Sequence, residues 1–76
     1  MPDRLPPGCY EICIREWIDD RNLAWFEGFA ITKTESGDTL LTGLVVDQSA
    51  LHGLLGIIRD LNLTLISVNR VDRKEP

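Results

Sequence analysis

Gln48, His52 and Arg59 are the residues of this sequence whose types and spacing best suit chemistry done together. If residues 47–61 are helical, the three fall along one flank at the border of the apolar face. Arginine brings a forked, permanently charged donor and histidine a titratable one, so the trio suits an anion or a carboxylate. The nearby helix N-terminus adds anion affinity, part of which Asp47 already satisfies. His52, the only histidine, equally suits a structural role, as donor to a backbone carbonyl near Trp25 and Phe26. Ser49 lies on a different face of the helix from His52 and no third member accompanies them, so no hydrolytic triad is formed. No pair of glutamates stands at a meaningful spacing, and Gly53-x-x-Gly56 is helical, not a phosphate loop.

Trp17, Trp25 and Phe26 read either as core and interface anchors or as a stacking platform for a ligand. An RNA-reading sheet would place paired aromatics on its central strands in a basic surround. Leu40, Leu41, Leu44 and Val45 stand there instead. The chain carries eight basic and twelve acidic residues, a net charge of −4, with no basic stripe. A phosphate backbone would be repelled, and no nucleic acid is expected as partner. Gly53 and Gly56 share the outer helix face with Ser49 and Asp60. Each costs about 1 kcal/mol relative to alanine, which suggests either a closely packed neighbour or a tolerated weakness.

Cys9 and Cys13 are the only cysteines. On a strand they point to one face about 13 Å apart at ~3.3 Å per residue, too far for a disulfide. Two thiols with no further ligand at a metal-site spacing are expected to be free, with no metal and no cofactor.

The elements follow from periodicity. Residues 1–8, with three prolines and a glycine, read as a flexible N-terminal arm. From Cys9 to Ile18 the pattern alternates: Tyr10, Ile12, Ile14 and Ile18 on one face, Cys9, Glu11, Cys13, Arg15 and Trp17 on the other. Asp19 or Asp20 caps a short helical turn over residues 23–27, stopped by Gly28; the alternative is that Trp25 and Phe26 begin the next strand. Residues 29–34 and 39–46 form a hairpin, with Gly37 free to take positive φ. Gly43 inside the second strand suggests a bulge or a close approach by another backbone. Leu51, Leu54, Leu55, Ile58 and Leu61 give residues 47–61 one apolar face, capped by Asp47 and ended by a left-handed Asn62. A last strand covers 63–68, and 72–76 reads as a frayed tail closing a single domain over 9–71.

The expected fold is α+β: a ferredoxin-like, four-stranded antiparallel sheet with one long helix and a degenerate first helix. One helix covers one sheet face, leaving the other bare with Leu41, Gly43 and Val45 or their alternates, plus Cys13 and Trp17. A chain of this length buries only roughly 60% of its extended surface, so its stability margin is thin. Both points favour a homodimer or another protein chain as partner. The reading is therefore a non-enzymatic interaction or accessory domain that self-associates through its open sheet face. One alternative is a small-molecule-sensing regulatory domain with a site near His52 and Arg59, and a second is a small cofactor-free oxygenase or isomerase. No apolar run is long enough to span a bilayer, and the N-terminus lacks a signal-peptide layout, so a cytoplasmic setting is expected and no membrane partner.

Three stretches resemble a family of short, uncharacterised bacterial proteins: Trp25-Phe26-Glu27-Gly28, Leu40-Leu41-Thr42-Gly43, and Asp47-Gln48-Ser49-Ala50-Leu51-His52-Gly53-Leu54-Leu55. The family's pattern is Trp-Phe-x-Gly, Thr-x-Leu-x-Gly, Asp-Gln-x-x-Leu-His-Gly-Leu-Leu. The resemblance covers roughly residues 10–70. It implies a compact stand-alone domain and implies no reaction. Where the family has glycine after the helix, this chain has Asn62, which also suits a left-handed cap.

Overall fold

Tyr10, Ile12 and Ile14 are buried while their neighbours in sequence are not, and this alternation is strand β1 (Gly8–Ile14) in the computed structural model, which describes residues 8–71. The arm and tail expected at the two ends lie outside the described residues, except Gly8, which opens β1 rather than closing an arm. β1 stops four residues short of the expected Ile18. Beyond Ile14 the ladder gives way: the register to the last strand shifts between Cys13 and Ile14, and the Arg15 N–H donates to the Thr64 carbonyl at 3.0 Å. Ile18 stays buried nonetheless.

The turn after β1 is a 3-10 helix over Asp20–Phe26, longer than the turn expected from residue 23 and tighter than an α-helix. Asp19 stands at its N-cap but makes no side-chain cap; its carboxylate pairs with exposed Arg21 at 3.2 Å instead. The helix carries Phe26 into the core, and Gly28, at φ +92°, lets the chain leave. Strand β2 (Ala30–Lys33) and strand β3 (Thr39–Val45) then form the expected hairpin. Its turn is closed by Thr34, whose N–H donates to the Asp38 carbonyl and whose hydroxyl accepts from the Asp38 N–H. Gly37 takes φ +93°.

Helix α1 (Gln48–Asp60) follows. Asp47 caps it as expected, its carboxylate accepting the Ala50 N–H at 2.8 Å. At the other end Asn62 adopts φ +62°, and the N–H groups of Asn62 and Leu63 return to the carbonyls of Arg59 and Ile58. Strand β4 runs Leu65–Val71, two residues later than expected, because Leu63 closes the helix and Thr64 is held by Glu16. Asn69, Arg70 and Val71 are strand, paired with Glu11, Tyr10 and Cys9.

The sheet is four-stranded and antiparallel at every pairing, in the order β2-β3-β1-β4. β3 and β4 both run antiparallel to β1, so they run parallel to each other with β1 between them, and α1 bridges the gap. The architecture is α+β, with one α-helix and one 3-10 helix. Ile12, Ile14 and Leu41 of the sheet meet Ile18, Phe26, Leu54 and Ile58 in one core. No helix among the described residues is long and apolar enough to cross a membrane.

Candidate functional site

The sheet face away from this core carries the alternate residues of each strand. Register arranges them in three rows: Leu44, Cys9 and Val71 abreast; then Ala30, Thr42, Glu11 and Asn69; then Thr32, Leu40, Cys13 and Ser67. The first row is apolar and open, with Leu44 60% exposed and Val71 39%. The middle row is polar. Leu40, Thr42 and Leu44 are thus the β3 residues on the bare face, while Leu41, Gly43 and Val45 look to the core side. Both cysteines are free, Cys9 exposed and Cys13 half-buried on this face.

Trp17 does not share that face with Cys13, as strict alternation would have it. With β1 ending at Ile14, its indole turns to the core side and lines a groove of about 350 Å³ with Leu23, Phe26, Phe29 and Ile31, and with Glu27 and Gly28. Phe26 is fully buried, so it forms a wall of the groove only through a sliver of its ring. Lys33 stands over the Trp17 ring, its Nζ 5.3 Å from the centroid, within cation–π range. Trp17 and Phe26 are therefore brought together, and Trp25 is not. Its 59% exposed side chain lines a separate cleft of about 170 Å³ with Ile57, Asp60 and Leu61 of the helix end.

The helix flank is looser than the sequence pattern suggests. Gln48 is half-buried in the first turn, and His52 is exposed. Arg59 is exposed and turns its Nε to Asp60, 3.3 Å from Oδ1. Neither the groove nor the Trp25 cleft is lined by His52. A Cβ on Gly53 would meet nothing within 4 Å, and one on Gly56 would meet only the Arg59 guanidinium at 3.8 Å. Within the described chain, nothing packs closely on either glycine.

Gly43 does answer a close approach, made by a ring and not by a backbone. A Cβ there would lie 2.6 Å from Cδ2 of Phe29, whose ring occupies the space a side chain would take. Sequence reading also missed Glu16. Its carboxylate accepts the Thr64 backbone N–H and the Thr64 hydroxyl, each at 2.7 Å, and its own carbonyl accepts the hydroxyl of fully buried Thr39, also at 2.7 Å. The Thr64 backbone bond, followed by the hydroxyl bond, holds the Glu16 carboxyl below the ordinary glutamate range. Thr64 lies far along the sequence from Glu16, and no local spacing announces such a pair.

Among the described residues no group of three or more histidines, cysteines or acids is placed to hold a metal ion. No buried side-chain nitrogen or oxygen among them lacks a hydrogen-bond partner. The buried polar groups are thus accounted for structurally, and the largest apolar features left open are the row on the sheet face and the aromatic groove. A family model, described as a domain of unknown function (DUF8691), matches residues 9–69. The chain belongs to this family. The DUF8691 match takes in the whole aromatic groove, the helix flank and all of the open face except Val71. No curated protein and no solved structure matches the chain.

Proposed function

We propose that this DUF8691 domain is a non-enzymatic interaction module that self-associates through its open sheet face. The observation that carries the reading is the row Leu44–Cys9–Val71, apolar and exposed on a face that no element of the described chain covers. Leu40 and Cys13 extend the apolar surface past the polar middle row. A second copy applied face to face is the simplest way to remove such a surface from water, since a two-fold pairing needs only one kind of patch. Sedimentation at low micromolar concentration tests it: a dimer is expected, and a well-folded species that stays monomeric throughout overturns it.

The fold is read here as a ferredoxin-like variant whose first helix has shrunk to a 3-10 turn. The strand order and its crossovers support this. Taken from the β4 edge the strands run β4-β1-β3-β2, and each crossover joins parallel strands that flank another. An exposed free thiol at Cys9 fits a reducing, cytoplasmic setting.

The sensing alternative keeps one specific support, the cleft between Trp25 and the end of α1. Asp60 lines it and pairs with Arg59, so a ligand entering there would meet an indole face and a charged pair together. A thermal-shift screen of amino acids, nucleotides and carboxylates tests this reading. A shift that is lost in Trp25→Ala supports it, and no shift with any of them overturns it.

A further inference from the structure

We infer that the outer edge of β2 is a docking site for an extended segment of another protein. The segment pairs with β2 as a fifth, antiparallel strand and sets an apolar side chain into the groove lined by Trp17, Leu23, Phe29 and Ile31. The backbone carries the first part of the argument. The Thr34 N–H donates to the Asp38 carbonyl, so these two face each other as a hydrogen-bonded pair. Such pairs recur at every second residue of an antiparallel ladder, which makes Thr32–Leu40 and Ala30–Thr42 the next two. Ile31 and Lys33 therefore turn their N–H and C=O groups outward, away from β3. The same alternation carried across β3 and β1 turns Arg15 toward β4, and its N–H does reach the Thr64 carbonyl there. β2 is the last strand on its side of the sheet, and no other described residue bonds these outward groups.

The side chains carry the second part. Residues directly opposite each other in a ladder point to the same face. Phe29, Ile31 and Lys33 point to the core side, where the groove of about 350 Å³ lies. A residue paired with Ile31 therefore sets its side chain over the open side of that groove, toward the 53% exposed indole of Trp17 and the 38% exposed Leu23. Main-chain bonds of this kind give affinity, and a pocket for the alternate side chain gives selectivity. Phenylalanine suits the position, because it favours a strand and packs well on aromatic walls.

Charge decides the occupant. The Lys33 ammonium stands 5.3 Å from the centroid of the Trp17 ring, and Glu27 lines the groove at its Phe29 end. Neither makes an ion pair with any described residue. An antiparallel segment that pairs with Ile31 meets Lys33 two residues earlier and Phe29, beside Glu27, two residues later. The fitting pattern is acidic-x-apolar-x-basic. A second copy does not supply it, because neither edge strand, β2 or β4, contains an acidic residue. The edge is also separate from the row Leu44–Cys9–Val71, to which β2 contributes nothing, so the two surfaces can be occupied together.

The test titrates the full, isotope-labelled chain with a capped peptide of seven residues, threonines with glutamate, phenylalanine and arginine at the second, fourth and sixth positions. Slowed hydrogen exchange at the Ile31 and Lys33 amides is expected, with the Trp17 indole N–H shifted and that of Trp25 unmoved. Replacing the phenylalanine by alanine should weaken binding about tenfold, the worth of a buried aromatic side chain. Exchanging the glutamate and arginine should weaken it about fivefold, as exposed ion pairs allow. Lys33→Glu, at an exposed position, should remove or reverse the preference between the two charge patterns. No slowing at those two amides with millimolar peptide, or slowing confined to the open sheet face, overturns the inference. Equal binding of all three peptides overturns it as well. So does slowing that appears without peptide and grows with protein concentration, since a second copy would then hold the edge.

Discussion

Glu16 and Thr64 are joined twice, the carboxylate taking both the backbone N–H and the hydroxyl of the threonine at 2.7 Å. The bond ties the chain just past β1 to the chain just before β4, at the point where the ladder between them has slipped register. Because these bonds favour the ionised form, the carboxyl titrates below its ordinary value of 4.5 in the folded chain. The stabilisation is present in full above that value and is lost as pH falls through the lower folded one. Glu16→Ala is expected to lower the melting temperature at pH 7. The difference from the parent should narrow as melts are repeated from pH 5 downward, and a difference independent of pH would count against the assignment.

Gly43 and Phe29 give the clearest steric prediction. Alanine at 43 puts its Cβ 2.6 Å from the Phe29 ring, so the ring must leave its seat. Overpacking of this kind costs about 1–3 kcal/mol. Gly43→Ala should shift the denaturation midpoint accordingly. In a Phe29→Ala background the same change should cost much less, and the double-mutant cycle measures the difference.

Gly53 points the other way. With open space around it, Gly53→Ala is expected to stabilise the chain by about 1 kcal/mol through helix propensity alone. Thermal or chemical denaturation reads this directly. If another copy packs on that helix face, the variant will instead weaken association, and sedimentation of the same sample will reveal it.

Leu44→Lys tests the open face without touching the core. Leu44 is 60% exposed, so the charge is accommodated in a lone chain at little cost. Placed against a second copy it is desolvated, and the dissociation constant should rise at least tenfold on sedimentation, with the melting transition extrapolated to low concentration little changed. Glu11→Gln, in the polar middle row, should tighten the dimer by removing a charge from the contact.

Phe26 anchors the 3-10 helix to the core and is 1% exposed. Phe26→Ala should cost about 3–5 kcal/mol and unfold a large part of the sample near physiological temperature, as followed by near-ultraviolet circular dichroism. Leu23→Ala, on the exposed side of the same turn, should cost far less.

Much of this architecture is legible in the residues themselves. Alternation at Tyr10, Ile12 and Ile14, the Gly37 turn, the Asp47 cap and the left-handed Asn62 are all local signals, and local physics decides them. Strand ends are less legible because they are set at a distance. β1 stops where Glu16 reaches Thr64, and β4 starts late for the same reason, so no window of neighbouring residues contains the cause. Trp17 leaves the open face for that reason too: alternation holds only while the strand does. The aromatic groove is hidden in the sequence because its walls come from the end of β1, the 3-10 turn and β2, which only the folded chain brings together. Gly43 announces a close neighbour, but that neighbour's identity, the ring of Phe29, depends on the hairpin register.

The central place of β1 has a consequence for how the chain comes to be folded. The first strand of the described chain pairs on one side with β3 and on the other with β4, the last. During synthesis β1 therefore emerges early and waits, its apolar face unmatched, until nearly everything else has followed. Contacts so distant in sequence make for slow folding, and a half-made chain would expose Tyr10, Ile12 and Ile14 to whatever else is nearby. For a protein this small, the period of greatest vulnerability falls before the last strand arrives.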